Sequence, residues 1–265
     1  MCIRDRPKIS LQIHPTAFVD SKAKLGSGIS IGPYSIINSN VTIGDGTMIG
    51  NHVTLASGTR IGTECKIFHS SSIGEIPQDM KFTGEQTEAI IGNRTTIREF
   101  VTINRGTKAS GVTVIGDDCL LMAYVHIAHD CIIGKQVVMS NMTTLGGHVN
   151  IGDYVSLGGG VMIHQFCKIG EHAFIGAGYW AVQDIPPYIL AAGTPLKFEG
   201  INNIGLKRRG FSVEGRKTIK DIYKLYFRSD VNRKDTIVKI YNKFPDSEYK
   251  TRILDFIQSS DRGII

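Results

Sequence analysis

The sequence predicts a mainly β fold, a parallel β-solenoid of six-residue repeats, followed by a small C-terminal α-helical domain. First, Ile-Gly and Leu-Gly dipeptides recur between Leu25 and Ile175 at spacings that are multiples of six. Second, counting in sixes from Ile13 to Ala181 gives 29 positions, of which 25 hold Ile, Leu, Val or Met. Third, beyond residue 190 the apolar residues return at helical spacing instead, as in "KDIYKLYF".

The solenoid is also indicated by a second class of position, four residues after each aliphatic one. Its members are mostly small or β-branched, as at Ser35, Val53 and Thr143, and such residues fit a tight strand interior. One large and one small inward side chain per repeat is the pattern of a hexapeptide solenoid, in which three units close one coil. Four of the five cysteines fall in the small class and none forms a C-x-x-C pair, so we interpret them as core residues.

Breaks in the repeat predict where the chain leaves the solenoid. Asp79, Glu85 and Ala109 fall on aliphatic positions. Because a charged side chain is costly in an apolar ladder, we expect loops at 76–88 and 104–111, where binding residues commonly lie. We assign residues 13–189 to the solenoid and 190–265 to the helical domain. Residues 1–12 are interpreted as an N-terminal extension, and the first seven fit no later pattern, which suggests a non-native segment.

Composition and charge narrow the class of protein. A chain of 265 residues with 42% hydrophobic content is not disordered. It contains no run of 18 apolar residues and no apolar signal region, so we expect no transmembrane segment and a cytoplasmic location. From residue 190 onward, 16 Lys and Arg face 9 Asp and Glu, whereas the rest of the chain is nearly neutral. This basic region suits an acidic partner, which could be nucleic acid, anionic lipid or an acidic protein.

The segment "HIAHD" at 126–130 predicts a functional site. His129 follows the aliphatic Ile127 by two residues, so its side chain should point away from the solenoid interior. Each coil of three repeats brings the chain back to the same edge. The polar residues that this spacing places along one edge, on three successive coils beside the Gly146–Gly147 turn, are His126, His129, His148, His164 and Gln165.

Three functions compete for such an edge. Histidines there could hold zinc between subunits, as in solenoid-type carbonic anhydrases, although the spacing of His126 and His129 is unusual for zinc ligands on a strand. One histidine could instead be a general base, with Asp130 or a backbone carbonyl fixing its tautomer. A non-enzymatic surface-binding solenoid is the third candidate, but it should show a regular exposed face without loops or a histidine cluster.

Several motifs together resemble a known enzyme family. In order along the chain, they are "IGEIPQDMKFTGE", "REFVTINRGT", "HIAHDCIIG", "TLGGHVNIGD", "HQFCKIG", "VQDIPPY" and "GLKRRGFS". They resemble the bacterial acyl-carrier-protein:UDP-N-acetylglucosamine O-acyltransferases, which perform the first step of lipid A synthesis, and the similarity runs from about Ile13 to the C-terminus. The resemblance implies a left-handed parallel β-helix, assembled as a homotrimer with active sites between neighbouring subunits.

The resemblance also implies the reaction and three catalytic residues. His129 matches the base that takes the proton from the 3-hydroxyl of UDP-N-acetylglucosamine, which then attacks the thioester of a (R)-3-hydroxyacyl-acyl carrier protein. Asp130 would orient the base, and the Gly147 N–H would donate to the oxyanion. Neither a cofactor nor a metal is implied, and the basic region gains the acyl carrier protein as its acidic partner in place of nucleic acid. The alternative is the sister N-acyltransferase of the same pathway.

Substrate contacts are implied by the same resemblance. Residues that match the family's sugar-nucleotide loop, its site lining and its uridine and phosphate contacts are, respectively, Gln78, Asp79 and Lys81; His126, His148, His164 and Gln165; and Asn202, Arg208 and Arg209. Ala177 matches the position that ends the acyl groove, where a small residue admits a long chain. Ile204 departs from the glutamate that some family members carry.

Overall fold

The computed structural model of the chain describes residues 12–228 and 232–265, which form 28 strands and four helices. Of the predicted N-terminal extension, residues 1–11 lie outside the described residues, and Gln12 already begins the first strand. The first fourteen strands are β1 Gln12–Ile13, β2 Phe18–Val19, β3 Lys24–Leu25, β4 Ser30–Ile31, β5 Ile36–Ile37, β6 Thr42–Ile43, β7 Met48–Ile49, β8 Thr54–Leu55, β9 Thr59–Ile61, β10 Lys66–Ile67, β11 Ser72–Glu75, β12 Glu88–Ile91, β13 Thr96–Ile97 and β14 Thr102–Asn104. The remaining strands are β15 Val112–Ile115, β16 Leu120–Leu121, β17 His126–Ile127, β18 Ile132–Ile133, β19 Val138–Met139, β20 Thr144–Leu145, β21 Asn150–Ile151, β22 Ser156–Leu157, β23 Met162–Ile163, β24 Lys168–Ile169, β25 Phe174–Ile175, β26 Trp180–Ala181, β27 Ile189–Ala192 and β28 Lys197–Ile201.

These strands stack into three sheets that form the three faces of a prism. The first sheet begins at β1 and takes every third strand to β25, the second runs likewise from β2 to β26, and the third from β3 to β24. Each of these pairs is parallel, so that Gln12 lies beside Ser30 and Ile13 beside Ile31, and the register shifts only at the end of the β11–β14 pair, between Ile73 and Glu75. Inward side chains therefore stack on identical positions of the next coil, and the chain is the predicted parallel β-helix.

The aliphatic ladder forms the core of the prism. Ile37, Leu55, Ile73 and Ile127, on four coils of the second sheet, are each 0% exposed. Full burial of such a side chain stabilises the fold by about 1.5–3 kcal/mol. Hydroxyls of the small class are satisfied by the backbone, as where Thr47 donates to the Gly62 carbonyl at 2.9 Å. Each strand contributes one inward aliphatic side chain to the ladder, so a strand of two residues is long enough to build this core.

Turns between the faces depend on residues in the left-handed backbone region. Tyr124, Asp130, His148 and His172 have φ values of 63, 60, 61 and 58°. This conformation is unfavourable for residues other than glycine. Side chains from successive coils stack above these turns, as in the Tyr154–His172 pair with ring centroids 4.6 Å apart, and this packing offsets the backbone cost.

His172 lies in the middle of such a stack and is buried. Tyr154 covers one face of its ring and Tyr188 the other, while Phe211 meets it edge-on. Its Nδ1 has no hydrogen-bond partner among the described residues. Burial, followed by the charges of two nearby arginines, lowers the pKa of His172 to about 4. The ring is therefore a neutral packing element at ordinary pH.

The chain leaves the prism twice, at the same edge. Residues 76–87 connect β11 of the second sheet to β12 of the third, and residues 105–111 connect β14 to β15. These are the segments where the repeat is broken by Asp79, Glu85 and Ala109. Both excursions lie at the edge between the second and third sheets.

The C-terminal end replaces coils with helices. The predicted boundary at residue 190 falls inside β27, because Ile189 and Ala191 still point inward and continue the ladder. β28 then pairs antiparallel with β27. The helices are α1 Asn203–Arg208, α2 Val213–Arg228, α3 Arg233–Lys243 and α4 Glu248–Gln258. Among the described residues, no helix combines the length and apolarity that crossing a bilayer demands.

The amphipathic helix α2 docks the helical region on the prism. Its buried residues Ile219, Ile222 and Tyr223 recur at helical spacing, and the Tyr223 hydroxyl donates to the Pro187 carbonyl at 2.7 Å. On α4, Arg252 forms an ion pair with Glu171 of the prism at 2.5 Å. The opposite side of α2 is exposed and positively charged; this α2 basic face comprises Lys217, Lys220, Lys224 and Arg228.

Candidate active site

The edge between the second and third sheets, which we call the histidine edge, carries the predicted site. His129 follows β17, Gly147 follows β20 and Gln165 follows β23, and these three strands stack directly on one another in the second sheet. The spacing of the sequence therefore predicts correctly that these positions lie above one another. Both loops that leave the prism do so at this edge as well.

A histidine–aspartate pair forms the centre of the site. His129 Nδ1 lies 2.7 Å from Asp130 Oδ2, and the His129 side chain is only 15% exposed. An ionised carboxylate can only accept hydrogen bonds, so Nδ1 of the neutral imidazole must be the donor. The lone pair of the base then resides on Nε2. This is the tautomer that a general base needs if it is to take a proton on its outward nitrogen.

Asp130 is buried and surrounded by donors from the 105–111 loop. Its carboxylate accepts hydrogen bonds from the Thr107 N–H at 3.0 Å, the Thr107 hydroxyl at 2.7 Å and the Ser110 N–H at 3.3 Å. A further, short bond comes from the Ser110 hydroxyl. Burial acts to raise the pKa of Asp130, but the hydrogen bonds from Ser110, His129 and Thr107 outweigh it and hold the pKa below its ordinary value. Asp130 is therefore held as a carboxylate.

Gly147 lies one coil higher, against the base. A Cβ atom at this position would come within 2.7 Å of His129 Cε1 and 2.8 Å of Nε2. Only glycine therefore leaves room for the imidazole, and the base lies close to the Gly147 backbone. Among the described residues, none accepts a hydrogen bond from the Gly147 N–H, so this donor is available to a substrate.

The other edge residues surround this centre to different degrees. The His148 ring meets His129 edge-on at 5.2 Å, stacks on Phe166 at 4.5 Å, and places Nε2 3.7 Å from Asp130 Oδ2. Three residues before the base, on β17, His126 is in contact with Thr102 at 2.7 Å, and burial lowers its pKa. His164 and the exposed Gln165 lie one coil above Gly147, so four of the five predicted residues lie at the histidine edge, whereas His126 lies beside it on the outer face of the second sheet.

The first excursion loop holds the residues predicted to contact the sugar nucleotide. Asp79 organises a turn there, because its side chain accepts from the Lys81 N–H at 2.9 Å and its carbonyl from the Phe82 N–H at 3.0 Å. Gln78 and Lys81 are exposed, and they lie on the loop that leaves the histidine edge. Their amide and ammonium groups are free to meet a ligand at this edge.

The residues predicted to contact uridine and phosphate lie elsewhere on the same chain. Asn202 caps α1 through a hydrogen bond from the Gly205 N–H at 3.1 Å, and Arg209 lies over the Tyr154 ring at 4.9 Å. With Arg208, they line a cavity of about 620 Å³ beside Phe174 of the first sheet. Within one chain, the structure therefore does not bring them to the histidine edge.

Ala177 also lies away from the base. It is exposed and follows β25, at the edge between the first and second sheets. The outer face of the second sheet separates it from His129 and includes His126, Met162 and the exposed Trp180. Met162 and Trp180 are 49% and 59% exposed, so this face offers apolar surface between the two edges.

The residues that could hold a metal are the same ones that build the base. Potential ligand atoms of His129, Asp130 and His148 all lie within 4.8 Å of one another. However, the two Asp130 oxygens already accept five hydrogen bonds, from Thr107, Ser110 and His129. A cation ligated by this carboxylate would have to displace some of these donors, so the set fits a hydrogen-bonded base better than a metal centre.

Thr107 and Ser110 are the site residues that sequence reasoning missed. The break in the repeat at Ala109 located their loop, but that loop was expected to contact a ligand. The structure shows instead that its hydroxyls contact Asp130. A signal for them exists in the sequence, because Thr107 and Ser110 flank the break at Ala109. The coil above this loop places the charged Asp130 at a left-handed turn.

Comparison with known proteins identifies relatives that match nearly the whole chain. A family model described as UDP N-acetylglucosamine O-acyltransferase, domain 2, matches residues 184–265, and one described as bacterial transferase hexapeptide (six repeats) matches residues 113–147. An acyl-[acyl-carrier-protein]–UDP-N-acetylglucosamine O-acyltransferase from Janthinobacterium sp. is 48% identical over 96% of this chain and 98% of its own. The enzyme of that name from Paracidovorax citrulli is 51% identical over 95% and 98%.

Solved structures give the same result. A UDP-N-acetylglucosamine acyltransferase from Bacteroides fragilis superimposes with a TM-score of 0.94 at 42% identity, covering 95% of this chain and 99% of its own. The Francisella novicida UDP-N-acetylglucosamine acyltransferase superimposes with a TM-score of 0.93 at 38% identity, covering 96% and 94%. The prism is thus the predicted left-handed parallel β-helix with a C-terminal helical region.

The left-handed β-helix, its hexapeptide repeats and its relatives place the chain among the hexapeptide-repeat acyltransferases, and the histidine–aspartate pair lies at one edge of this prism. Relatives at nearly half identity span almost the whole chain. The chain belongs to the acyl-[acyl-carrier-protein]–UDP-N-acetylglucosamine O-acyltransferase family.

Proposed function

We propose that the chain transfers a (R)-3-hydroxyacyl group from acyl carrier protein to the 3-hydroxyl of UDP-N-acetylglucosamine, the first step of lipid A biosynthesis, with His129 as general base. The observation that carries the base assignment is the 2.7 Å contact between His129 Nδ1 and the buried Asp130 carboxylate. It directs the basic lone pair to Nε2, beside the free N–H of Gly147. The substrates are those named for the family's members, and this geometry supports the proposed residue roles.

The reaction follows from these positions. Nε2 of His129 takes the proton of the sugar 3-hydroxyl while its oxygen attacks the thioester carbonyl carbon. Negative charge then develops on the former carbonyl oxygen, where the Gly147 N–H can donate to it. Asp130 stabilises the imidazolium without accepting its proton. When the tetrahedral intermediate collapses, the C–S bond breaks and the imidazolium returns the proton to the leaving thiolate, which regenerates the base.

A homotrimer completes this proposed site. The Asn202–Arg208–Arg209 cavity lies against the first sheet, whereas His129 lies at the edge between the second and third sheets. A nucleotide held by both sets requires the first sheet of one subunit to face the histidine edge of another. A ring of three copies would repeat this contact at each junction. Ala177, at a third position on the prism, would likewise meet an acyl chain that lies between subunits.

The α2 basic face is the proposed docking surface for the acyl carrier protein. Its four cations are exposed and lie on one helix, and they are four of the 16 Lys and Arg found from residue 190 onward. Charge of one sign on such a surface attracts an acidic protein over a distance of about a Debye length, ~8–10 Å at ordinary salt.

A single-residue test addresses the base. In His129→Ala, kcat should fall by about 10²–10⁴-fold, because general-base catalysis typically contributes that much. Turnover is measured as acylated product by mass spectrometry, with UDP-N-acetylglucosamine and a panel of 3-hydroxyacyl carrier proteins. The matched control is His14→Ala, an exposed histidine on the first coil, which should retain full turnover.

Two outcomes would oppose the proposal. Near-normal kcat in His129→Ala, with the product mass unchanged, would remove His129 from the role of base. Failure of the unmodified protein to acylate UDP-N-acetylglucosamine, combined with acylation of an amino-sugar acceptor, would favour the N-acyltransferase instead.

A further inference from the structure

The 105–111 loop contacts the site through hydrogen bonds that play no part in the proposed reaction steps. Four of the five hydrogen bonds that reach the Asp130 carboxylate come from Thr107 and Ser110, and only one comes from His129. The carboxylate side chain is 0% exposed. Because water cannot reach it, the loop provides almost all of its solvation.

We propose that Thr107 and Ser110 are positioning residues that hold the Asp130 carboxylate in place and thereby control both the orientation and the proton affinity of His129. The inference rests on the proposed function of His129 as base and extends it to a group of residues that touch no reacting atom. The Thr107 and Ser110 hydroxyls act on the reaction through Asp130 alone.

The Thr107 hydroxyl is the better defined of the two. It is buried, lies 2.7 Å from Asp130 Oδ2, and accepts from the Ala109 N–H at 3.2 Å, so its single proton is directed to the carboxylate. Thr107 and His129 therefore share the same oxygen, Oδ2. The Ser110 hydroxyl lies close to both Asp130 Oδ1 and the Val112 carbonyl, the latter at 2.9 Å, and the charged oxygen is the stronger acceptor.

Donors on a carboxylate reduce the negative charge that it presents to a neighbouring imidazole. Among the described residues, removal of the Thr107 hydroxyl leaves Oδ2 with His129 as its one hydrogen-bond donor within 3 Å, which strengthens the hold of the pair on a proton. The other titratable groups facing the carboxylate are His148, with Nε2 at 3.7 Å, and the buried thiol of Cys131. Both remain in a Thr107 variant, so a change in pH dependence reports on the lost hydroxyl.

The experiment compares Thr107→Val, Thr107→Ser and the unmodified enzyme by their kcat–pH profiles. Valine keeps the shape and removes the hydroxyl, whereas serine keeps the hydroxyl. A hydrogen bond to a charged group is typically worth enough to shift a titration by about one unit. In Thr107→Val, the acid limb of the profile should therefore move to higher pH by about one unit, with kcat on the plateau reduced about tenfold. Thr107→Ser should restore both.

Thr47→Val is the matched control. Thr47 is also a buried threonine of the prism, but its hydroxyl donates to the Gly62 carbonyl, on a coil distant from the histidine edge. The Thr47→Val substitution should lower the midpoint of thermal unfolding without moving the acid limb of the kcat–pH profile. An acid limb in Thr107→Val that coincides with that of Thr47→Val would overturn the proposal.

The design keeps this inference separate from the base assignment. Suppose that His129→Ala loses turnover while the kcat–pH profile of Thr107→Val matches that of the unmodified enzyme. This result would refute only the positioning role of Thr107. Retained turnover in His129→Ala would refute the base itself, whatever Thr107→Val does. Should Thr107→Val not fold, Ser110→Ala at an exposed position of the same loop takes its place, with the same expected direction and the same refuting result.

Discussion

Gly147→Ala offers a direct test of how closely the base must be placed. The added Cβ would lie 2.7 Å from His129 Cε1 and 2.8 Å from Nε2, whereas ordinary contact begins at 3.4 Å. Either the imidazole or the glycine turn must therefore shift by about 0.7 Å. Gly147 is not in the left-handed backbone region, so alanine adds little backbone strain, and the variant retains the amide N–H. The perturbation thus acts mainly on the position of the base.

A displacement of this size is large for a catalytic group. Misplacement by about 1 Å can cost about 10²-fold in rate. We expect kcat of Gly147→Ala to fall between about 10- and 100-fold, which corresponds to about 1.4–2.7 kcal/mol of lost transition-state stabilisation. Steady-state turnover is measured with saturating acceptor and donor, beside a thermal unfolding curve that verifies the fold.

The double variant His129→Ala/Gly147→Ala decides the cause. If alanine at position 147 acts by moving the imidazole, it has nothing left to move once that ring is removed, and the added methyl group occupies the vacated space. The double variant should then be no slower than His129→Ala alone. Losses that multiply across the two substitutions would show that Gly147 acts independently of the base, and the reasoning would be refuted.

Three other predictions concern chain length, docking and pH. Ala177→Met should move the preferred 3-hydroxyacyl chain toward shorter donors, since each methylene in an apolar pocket is worth about 1–3 kcal/mol; an unchanged optimum in a donor-panel assay, with Trp180→Ala lengthening it, would place the ruler at Trp180. Charge reversal across the α2 basic face should raise KM for the acyl carrier protein and weaken its salt dependence while KM for the sugar nucleotide stays constant; an unchanged KM at low salt would place docking elsewhere. The pKa of His172 falls from 6.5 to about 4 on folding, so the unfolded chain binds a proton that the folded chain excludes, and the free energy of unfolding should decrease as pH falls from 6.5 toward 4, by up to about 3 kcal/mol. His172→Phe should remove this dependence while keeping the stack, and identical pH slopes for variant and parent in denaturant titrations would contradict it.

Much of the fold could be predicted because a single register extends over the whole prism. A phase of six determines which side chains point inward, and a step of 18 residues determines which ones stack, as for His129 and Gly147. Where an insertion shifted the step, the break itself was visible in the aliphatic ladder at Asp79 and Ala109. The arrangement of the histidine edge is thus a consequence of repetition and needed no information from distant parts of the chain.

The rest of the site depended on contacts that have no period. The hydrogen bonds of Thr107 and Ser110 to Asp130 arise from the path of an irregular loop, which the repeat marks as a break without specifying its conformation. The boundary near residue 190 was equally hidden, because Ile189 and Ala191 belong to strand β27 although the hexapeptide count ends before them, at Ala181. Placement of Arg209 over Tyr154 likewise required the docked position of the helices.

The antiparallel strand β28 has a consequence for how long such a prism can grow. In a stack of parallel strands, the exposed edge of each coil carries the same row of backbone donors and acceptors as the edge of the coil before it. A further coil can therefore pair with any such edge. β28 reverses the direction of the chain on the first sheet, and Ile264 bridges to Asp184 near the end of the third. Helix α2 packs on β28, where Tyr223 and Phe227 lie against Phe198. The end of the prism is therefore covered by a hairpin and a helix, which protects it from pairing with the edge of another molecule.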